Sequence, residues 1–153
     1  MKKSLFFAAI AFATLIPSHQ TLAAGEFATQ KEAEAMVAKA VKGVTADRDG
    51  TFKEITAKDK KWVDRDLYPV VYDMTGKCLA HGQNPKQVGK DLIDFADADG
   101  KEYMKERVTL AKSQGKFWHD YKFTDPVTKK VLPKSMYCEK SGELIVCAGV
   151  YKR

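Results

Sequence analysis

The stretch LYPVVYDMTGKCLAHG, residues 67–82, constrains the fold more than any other part of the chain. Tyr68, Val70, Val71 and Tyr72 are β-branched or aromatic, types that suit a pleated, half-buried surface. Asp73, Met74, Thr75 and Gly76 supply turn chemistry, and Gly76 tolerates a positive φ. Cys78, Leu79, Ala80 and His81 then return as a second strand. The stretch predicts a hairpin. The same grammar of turn then strand recurs twice before the C-terminus, whereas the text before Leu67 carries helical periodicity. The hairpin therefore joins a helical first part to a sheet-forming second part.

In the first part, Ala33, Met36, Val37, Ala40, Val41 and Val44 recur at spacings of three and four. This is one apolar face of a helix over residues 27–44, with Lys31, Glu32, Glu34, Lys39 and Lys42 on the other. Such a face has to be buried, and the coming sheet is the large partner available. Residues 47–50 break the helix, and Thr51 with Glu54 has the form of a capping box opening a short second helix or turn. Trp62 reads as an apolar plug on the sheet rather than a lid over a pocket. After the hairpin, Asn84-Pro85 marks a turn. Residues 87–92 read as a loop laid over the sheet on Val88 and Leu92. A helix is expected over 102–113 with Tyr103, Met104, Val108 and Ala111 inward, stopped by Gly115. A strand over 117–123 shows Phe117, His119, Tyr121 and Phe123 on one face and Trp118, Asp120 and Lys122 on the other. Strands over 133–140 and 143–151 complete the chain. Helices packed on an antiparallel sheet make this an α+β domain.

The N-terminus reads as a leader. Lys2 and Lys3 precede an apolar run over residues 5–16, Pro17 ends it, and Ala23 and Ala24 offer a cleavage site. The expected division is a signal peptide over 1–24 and a single domain over 25–153. The run is shorter than the roughly 20 residues a membrane span needs; an uncleaved N-terminal anchor is the alternative. Export points to a bacterial periplasm. Losing Lys2 and Lys3 with a leader that carries no acid takes the formal charge from +6 to +4. The remaining lysines are interleaved with acids, which describes a solvated surface rather than a nucleic-acid stripe.

Three cysteines in an oxidising compartment permit one disulfide and leave one thiol. Cys138 and Cys147 lie on the last two strands. They sit opposite one another if the turn centres on Gly142-Glu143, whereas a turn on Ser141-Gly142 slips the register and loses the pair. The expectation is a Cys138–Cys147 bond with Cys78 free and buried. Enzyme motifs are missing: there is no Gly-x-Ser-x-Gly, no His-Glu-x-x-His and no Cys-x-x-Cys. The chain is read as a non-enzyme without cofactor or metal. Cys78 and His81, three apart, are expected on opposite faces of a regular strand, against a metal site.

The ordered set LYPVVYD (67–73), GKCLAH (76–81), VGKDL (88–92), WHDYK (118–122), PKS (133–135) and GVY (149–151) resembles the single Cache domains of bacterial extracytoplasmic sensors. The resemblance implies a PAS-like five-stranded antiparallel sheet, a long N-terminal helix packed on one face and a ligand pocket on the other. It also implies a small organic acid as ligand. Lys134, in the family-like PKS segment, is the candidate cation for a carboxylate. Tyr72, Tyr121 and Tyr137 are candidate hydroxyl donors, His81 a further donor, and Trp118 a wall. The sequence stops at Arg153 just after the last strand, so the expectation is a stand-alone exported Cache domain. It would act in signalling or chemoreception through a separate partner, a membrane-bound receptor, kinase or transporter. The other open class is a structural or interaction protein of the envelope that keeps the fold without a ligand.

The leader reading predicts a mature protein that begins close to Ala24 or Gly25. Mass spectrometry of the envelope fraction checks this, and an intact 1–16 segment recovered from membranes would favour the anchor.

Overall fold

The computed structural model describes residues 25–153; the expected leader lies outside the described residues. Helix α1 spans Gln30–Ala46 and starts later than the sequence suggested. The reason is a capping box one turn further on: Thr29 Oγ1 accepts from the Glu32 N–H, and the Glu32 carboxylate accepts from the Thr29 N–H. Phe27 and Ala28 are used elsewhere. The Arg153 guanidinium lies 3.5 Å from the Phe27 ring centre, and the Ala28 N–H donates to Asp66 at 2.8 Å.

The box expected at Thr51 and Glu54 does not form. Asp47 caps helix α2, Arg48–Thr56, by accepting from the Gly50 N–H at 3.0 Å, and Thr51 is buried inside the helix. Thr51 packs where Gly43 leaves room: a Cβ on Gly43 would stand 3.0 Å from Thr51 Oγ1 and 3.4 Å from the Trp62 ring.

The strands are β1 (Pro69–Asp73), β2 (Cys78–His81), β3 (Lys116–Thr124), β4 (Val131–Ser141) and β5 (Leu144–Tyr151). They form one antiparallel sheet in the order β2-β1-β5-β4-β3. In the β1–β2 turn, Asp73 Oδ1 accepts from the Thr75 and Lys77 N–H groups, and Gly76 takes φ +93°. Helix α3, Tyr103–Ser113, precedes β3, and Gly115 follows it at φ +76°.

Each face of the sheet carries a core. On one, α1 and α2 bury Val37, Ala40, Val44 and Ile55 with Trp62 against Val71, Ala80, Val146 and Ala148. Trp62 is the expected plug. On the other, Met104, Val108 and Ala111 of α3 and Leu92 of the long loop pack on Val70, Tyr72, Phe117, Ile145 and Cys147. No described helix is long and apolar enough to cross a membrane.

Ser141 pairs with Leu144, so the β4–β5 turn centres on Gly142-Glu143. This sets Cys138 opposite Cys147, and the two are bonded. Cys78 is free and buried. One expectation about β2 fails. Val70 pairs with His81, Val71 with Ala80, and Tyr72 with Cys78, so Leu79 is an extra residue in the ladder. This β-bulge turns Cys78 and His81 to the same face rather than to opposite ones. Among the described residues no group of three His, Cys, Asp or Glu side chains is arranged to hold a metal.

Non-reducing peptide mapping should recover Cys138 linked to Cys147, with Cys78 alkylated only after unfolding. Replacing both bonded cysteines by serine should lower stability by about 2–3 kcal/mol, the loop-closure value for a short crosslinked loop. Three alkylatable thiols in the folded protein would overturn the pairing.

Candidate ligand-binding site

The site lies on the face of the sheet away from α1, where strand alternation collects the polar heads. From β1 come Val70 and Tyr72, from the residue just before it Tyr68, and from β2 comes His81. Strand β3 gives Tyr121 and Phe123, and β4 gives Lys134 and Met136. Gln87 and Leu92 of the long loop and Tyr103 of α3 close the top. The cavity they enclose measures about 10 Å³, room for one water-sized sphere. Beside it opens a hollow of about 420 Å³ between residues 81–87 and the 124–130 turn. The two share Tyr68, His81, Gln87 and Phe123, which makes the hollow a vestibule.

Lys134 is the central charge. It is 1% exposed. Its Nζ donates to the hydroxyls of Tyr68 at 3.0 Å and Tyr151 at 3.3 Å, and lies over both rings and over Phe123. Tyr151 passes its own proton to the Thr124 carbonyl at 2.8 Å. The ammonium therefore has phenols and π-faces around it and no carboxylate within hydrogen-bond distance among the described residues. The nearest acids, Asp66 and Asp125, are fully buried and both held by Arg153, at 2.9 and 2.8 Å. Burial, followed by the charge of Arg107, pushes the Lys134 pKa down to about 7, with Asp66 and Asp125 opposing.

Arg107 is a second buried cation, on α3. Its guanidinium lies behind the cavity wall, 4.9–5.3 Å from the ring centres of Tyr72, Tyr121 and Tyr103. Nε donates to His119 Nε2 at 3.1 Å, Nη1 points at Met104 Sδ, and Nη2 is buried without a partner among the described residues.

His81 has its tautomer fixed by the backbone. Nδ1 accepts from the Gln83 and Asn84 N–H groups at 3.1 and 2.9 Å, so Nε2 carries the proton and is a donor. Burial, then the charges of Lys134 and Arg107, lowers its pKa to about 3, and the ring stays neutral.

The sequence profile of the family described as Single Cache domain 2 matches residues 9–151. The chain belongs to that family. Among solved structures, this Cache domain is similar to a methyl-accepting chemotaxis protein from Vibrio parahaemolyticus, at 19% identity and TM-score 0.67, covering 80% of this chain and 87% of that one. It is similar to a structure described as the basis for carboxylic acid recognition by a Cache chemosensory domain, at 24% identity and TM-score 0.68, covering 80% and 92%. A third is the periplasmic sensor domain of a chemotaxis protein, at 21% identity and TM-score 0.64, covering 80% and 90%. At these identities the likeness shows a shared fold. No curated protein sequence matches.

Of the site residues named from the sequence of this Cache domain, Tyr72, His81, Tyr121 and Lys134 line the cavity together. Trp118 and Tyr137 do not. They are a cross-strand pair with ring centres 5.2 Å apart on the α1 side, where Trp118 Nε1 donates to Glu34 of α1 at 3.4 Å. Each is three residues from a true wall residue, Tyr121 or Lys134. Three steps along a regular strand change the face. Arg107, Tyr68, Tyr103, Gln87 and Tyr151 were not anticipated. Arg107 stands four residues after Tyr103 and three after Met104, so the helical period would have placed it inward.

The Lys134 shift sets a pH dependence. Between pH 7 and the ordinary value of 10.5, the unfolded chain holds a proton that the folded chain has lost. The destabilisation from burying this charge is therefore full below pH 7 and is relieved as pH rises toward 10.5. Unfolding curves of wild type and Lys134→Met should converge in favour of wild type by about 1 kcal/mol per pH unit between pH 7.5 and 9.5. A difference constant over that window would show that Lys134 keeps an ordinary pKa.

Proposed function

We propose that this domain binds a small organic acid in the Lys134 cavity. The ligand class is a monocarboxylate of acetate, propionate, pyruvate or lactate size. The observation that carries the reading is the Lys134 ammonium, fully buried and with neutral phenols as its hydrogen-bond partners. A buried cation without a counter-ion is costly, and an anion entering the cavity supplies one. The unpartnered Nη2 of Arg107 and the Nε2–H of His81 are further donors on the same side of the sheet. Charge-assisted bonds of this kind are the stronger ones. A Cache chemosensory domain described for carboxylic acid recognition shares the fold, which supports the same ligand class. The small enclosed volume limits the ligand to a few heavy atoms, some of which extend into the adjoining hollow past Gln87.

The domain, residues 25–153, acts in the periplasm once residues 1–24 are removed. It works in signalling or chemoreception through a membrane-bound receptor, kinase or transporter. Binding, not catalysis, is its role. A second reading, an envelope interaction protein that keeps the fold without a ligand, draws on the same closed cavity of about 10 Å³.

Calorimetry on the mature protein with short acids and their amides separates the readings. Acids should bind and amides should not. Lys134→Met should weaken binding at least tenfold, on the order of 1.5–3 kcal/mol for a hydrogen bond to a charged group, and Tyr121→Phe should cost less. Binding an anion favours charged Lys134, so affinity for acids should fall as pH rises from 7 to 9. Amides binding as well as acids, or no effect of Lys134→Met, would overturn the carboxylate reading. No binding by any acid would favour the second.

A further inference from the structure

We infer that Gln87 selects acids that carry their own hydroxyl next to the carboxylate, that is, small 2-hydroxy acids. The inference rests on the carboxylate reading of the Lys134 cavity and deepens it.

Gln87 ends the single 3₁₀ turn Pro85–Gln87 that sits over the cavity mouth. The turn is held from below. His81 Nδ1 accepts from the Gln83 and Asn84 N–H groups, and the Gln87 N–H donates to the Asn84 carbonyl at 3.1 Å. On this braced backbone Gln87 lines both the cavity and the vestibule. Its Oε1 is buried and has no hydrogen-bond partner among the described residues. A buried polar atom without a partner is uncommon and asks for one.

The chemistry of the other polar heads decides what that partner is. Charged Lys134 and His81 Nε2 can only donate here, Arg107 Nη2 behind the wall does the same, and the Tyr72, Tyr103 and Tyr121 phenols can donate too. A carboxylate satisfies these donors. It offers nothing to Gln87 Oε1 in the orientation the amide takes here, because that oxygen only accepts. Propionate leaves that oxygen unpaired, and pyruvate does too, because a keto oxygen only accepts. An amino acid carries donors, but its ammonium would stand among two buried cations. No carboxylate lines the cavity among the described residues, and Asp125 in the vestibule is occupied by Arg153 and Thr128. A neutral hydroxyl meets both demands: it donates to Gln87 Oε1 and adds no charge. A site with a buried polar group rejects an analogue that lacks the complementary group far better than an apolar site rejects an added one.

Calorimetry at pH 7 with lactate, propionate, pyruvate, alanine and lactamide tests this on wild type and on Gln87→Leu. Lactate should bind wild type about tenfold or more tighter than propionate and pyruvate, with alanine weakest of the acids. Gln87→Leu should bring lactate to within about twofold of propionate, chiefly by weakening lactate. Propionate or pyruvate binding wild type as tightly as lactate overturns the assignment, as does a preference that survives in Gln87→Leu. Should the variant fail to melt cooperatively, the wild-type ranking decides alone. The two readings fail differently. If acids bind without regard to the hydroxyl, only the role of Gln87 falls. If lactamide matches lactate, or no acid binds, the carboxylate site falls with it.

Discussion

A strand with no solvent face must place each side chain into one of two cores, and β5 is buried along its whole length from Leu144 to Tyr151. It runs between β1 and β4, so its register sets theirs. Ile145, Cys147 and Tyr151 face the cavity side, while Val146, Ala148 and Val150 face α1. A slip of one residue would exchange the two sets. The Cys138–Cys147 bond pins the pairing with β4 at a point inside the cavity-side core. Gly149 has a matching constraint. It sits under Met136, and a Cβ there would meet the Ser135 carbonyl at 2.6 Å, so this crossing admits no side chain.

The same alternation concentrates positive charge in an apolar core. Lys134 follows from β4 register, Arg107 from the inner face of α3, and aromatic rings stand around both. Carboxylates that would neutralise them are kept one layer away. Asp66 and Asp125 are drawn to Arg153, which also lies on Phe27. Arg153 thereby ties the approach to α1, the segment before β1, and the 124–130 turn that walls the vestibule. Tyr151, two residues earlier, touches Lys134 and Tyr68 and bonds to Thr124. The cavity and the ends of the described chain therefore share a bonded network.

Much of this was legible from the residues. The hairpin, the apolar face of α1 and the plug role of Trp62 follow from local patterns, whereas the turn that pairs Cys138 with Cys147 was one of two registers the residues left open. Tyr72, Tyr121 and Lys134 came from residue chemistry and the family resemblance together. The errors were also local in origin. Trp118 and Tyr137 were grouped with the cavity by chemical type, although parity with Tyr121 and Lys134 sends them to the other face. Thr29 and Glu32 have the capping-box spacing that Thr51 and Glu54 also show. Only the first pair stands at a helix start, because Asp47 already begins α2. Arg107 was not named from the sequence, although its position shares a face with Met104.

The sequence by itself determined the α+β class and the order of elements, because these rest on periodicity and turn chemistry within short windows. Tertiary structure alone decided how His81, named from the sequence as a donor, reaches the cavity on the same face as Cys78, since the Leu79 bulge reverses its parity only when β2 pairs with β1. It alone decided that Arg107 finds three rings and His119 rather than water, and that Asp66 and Asp125 answer to Arg153 instead of Lys134. Those outcomes depend on approaches between segments far apart in the chain, and no local pattern encodes which groups such approaches leave without partners.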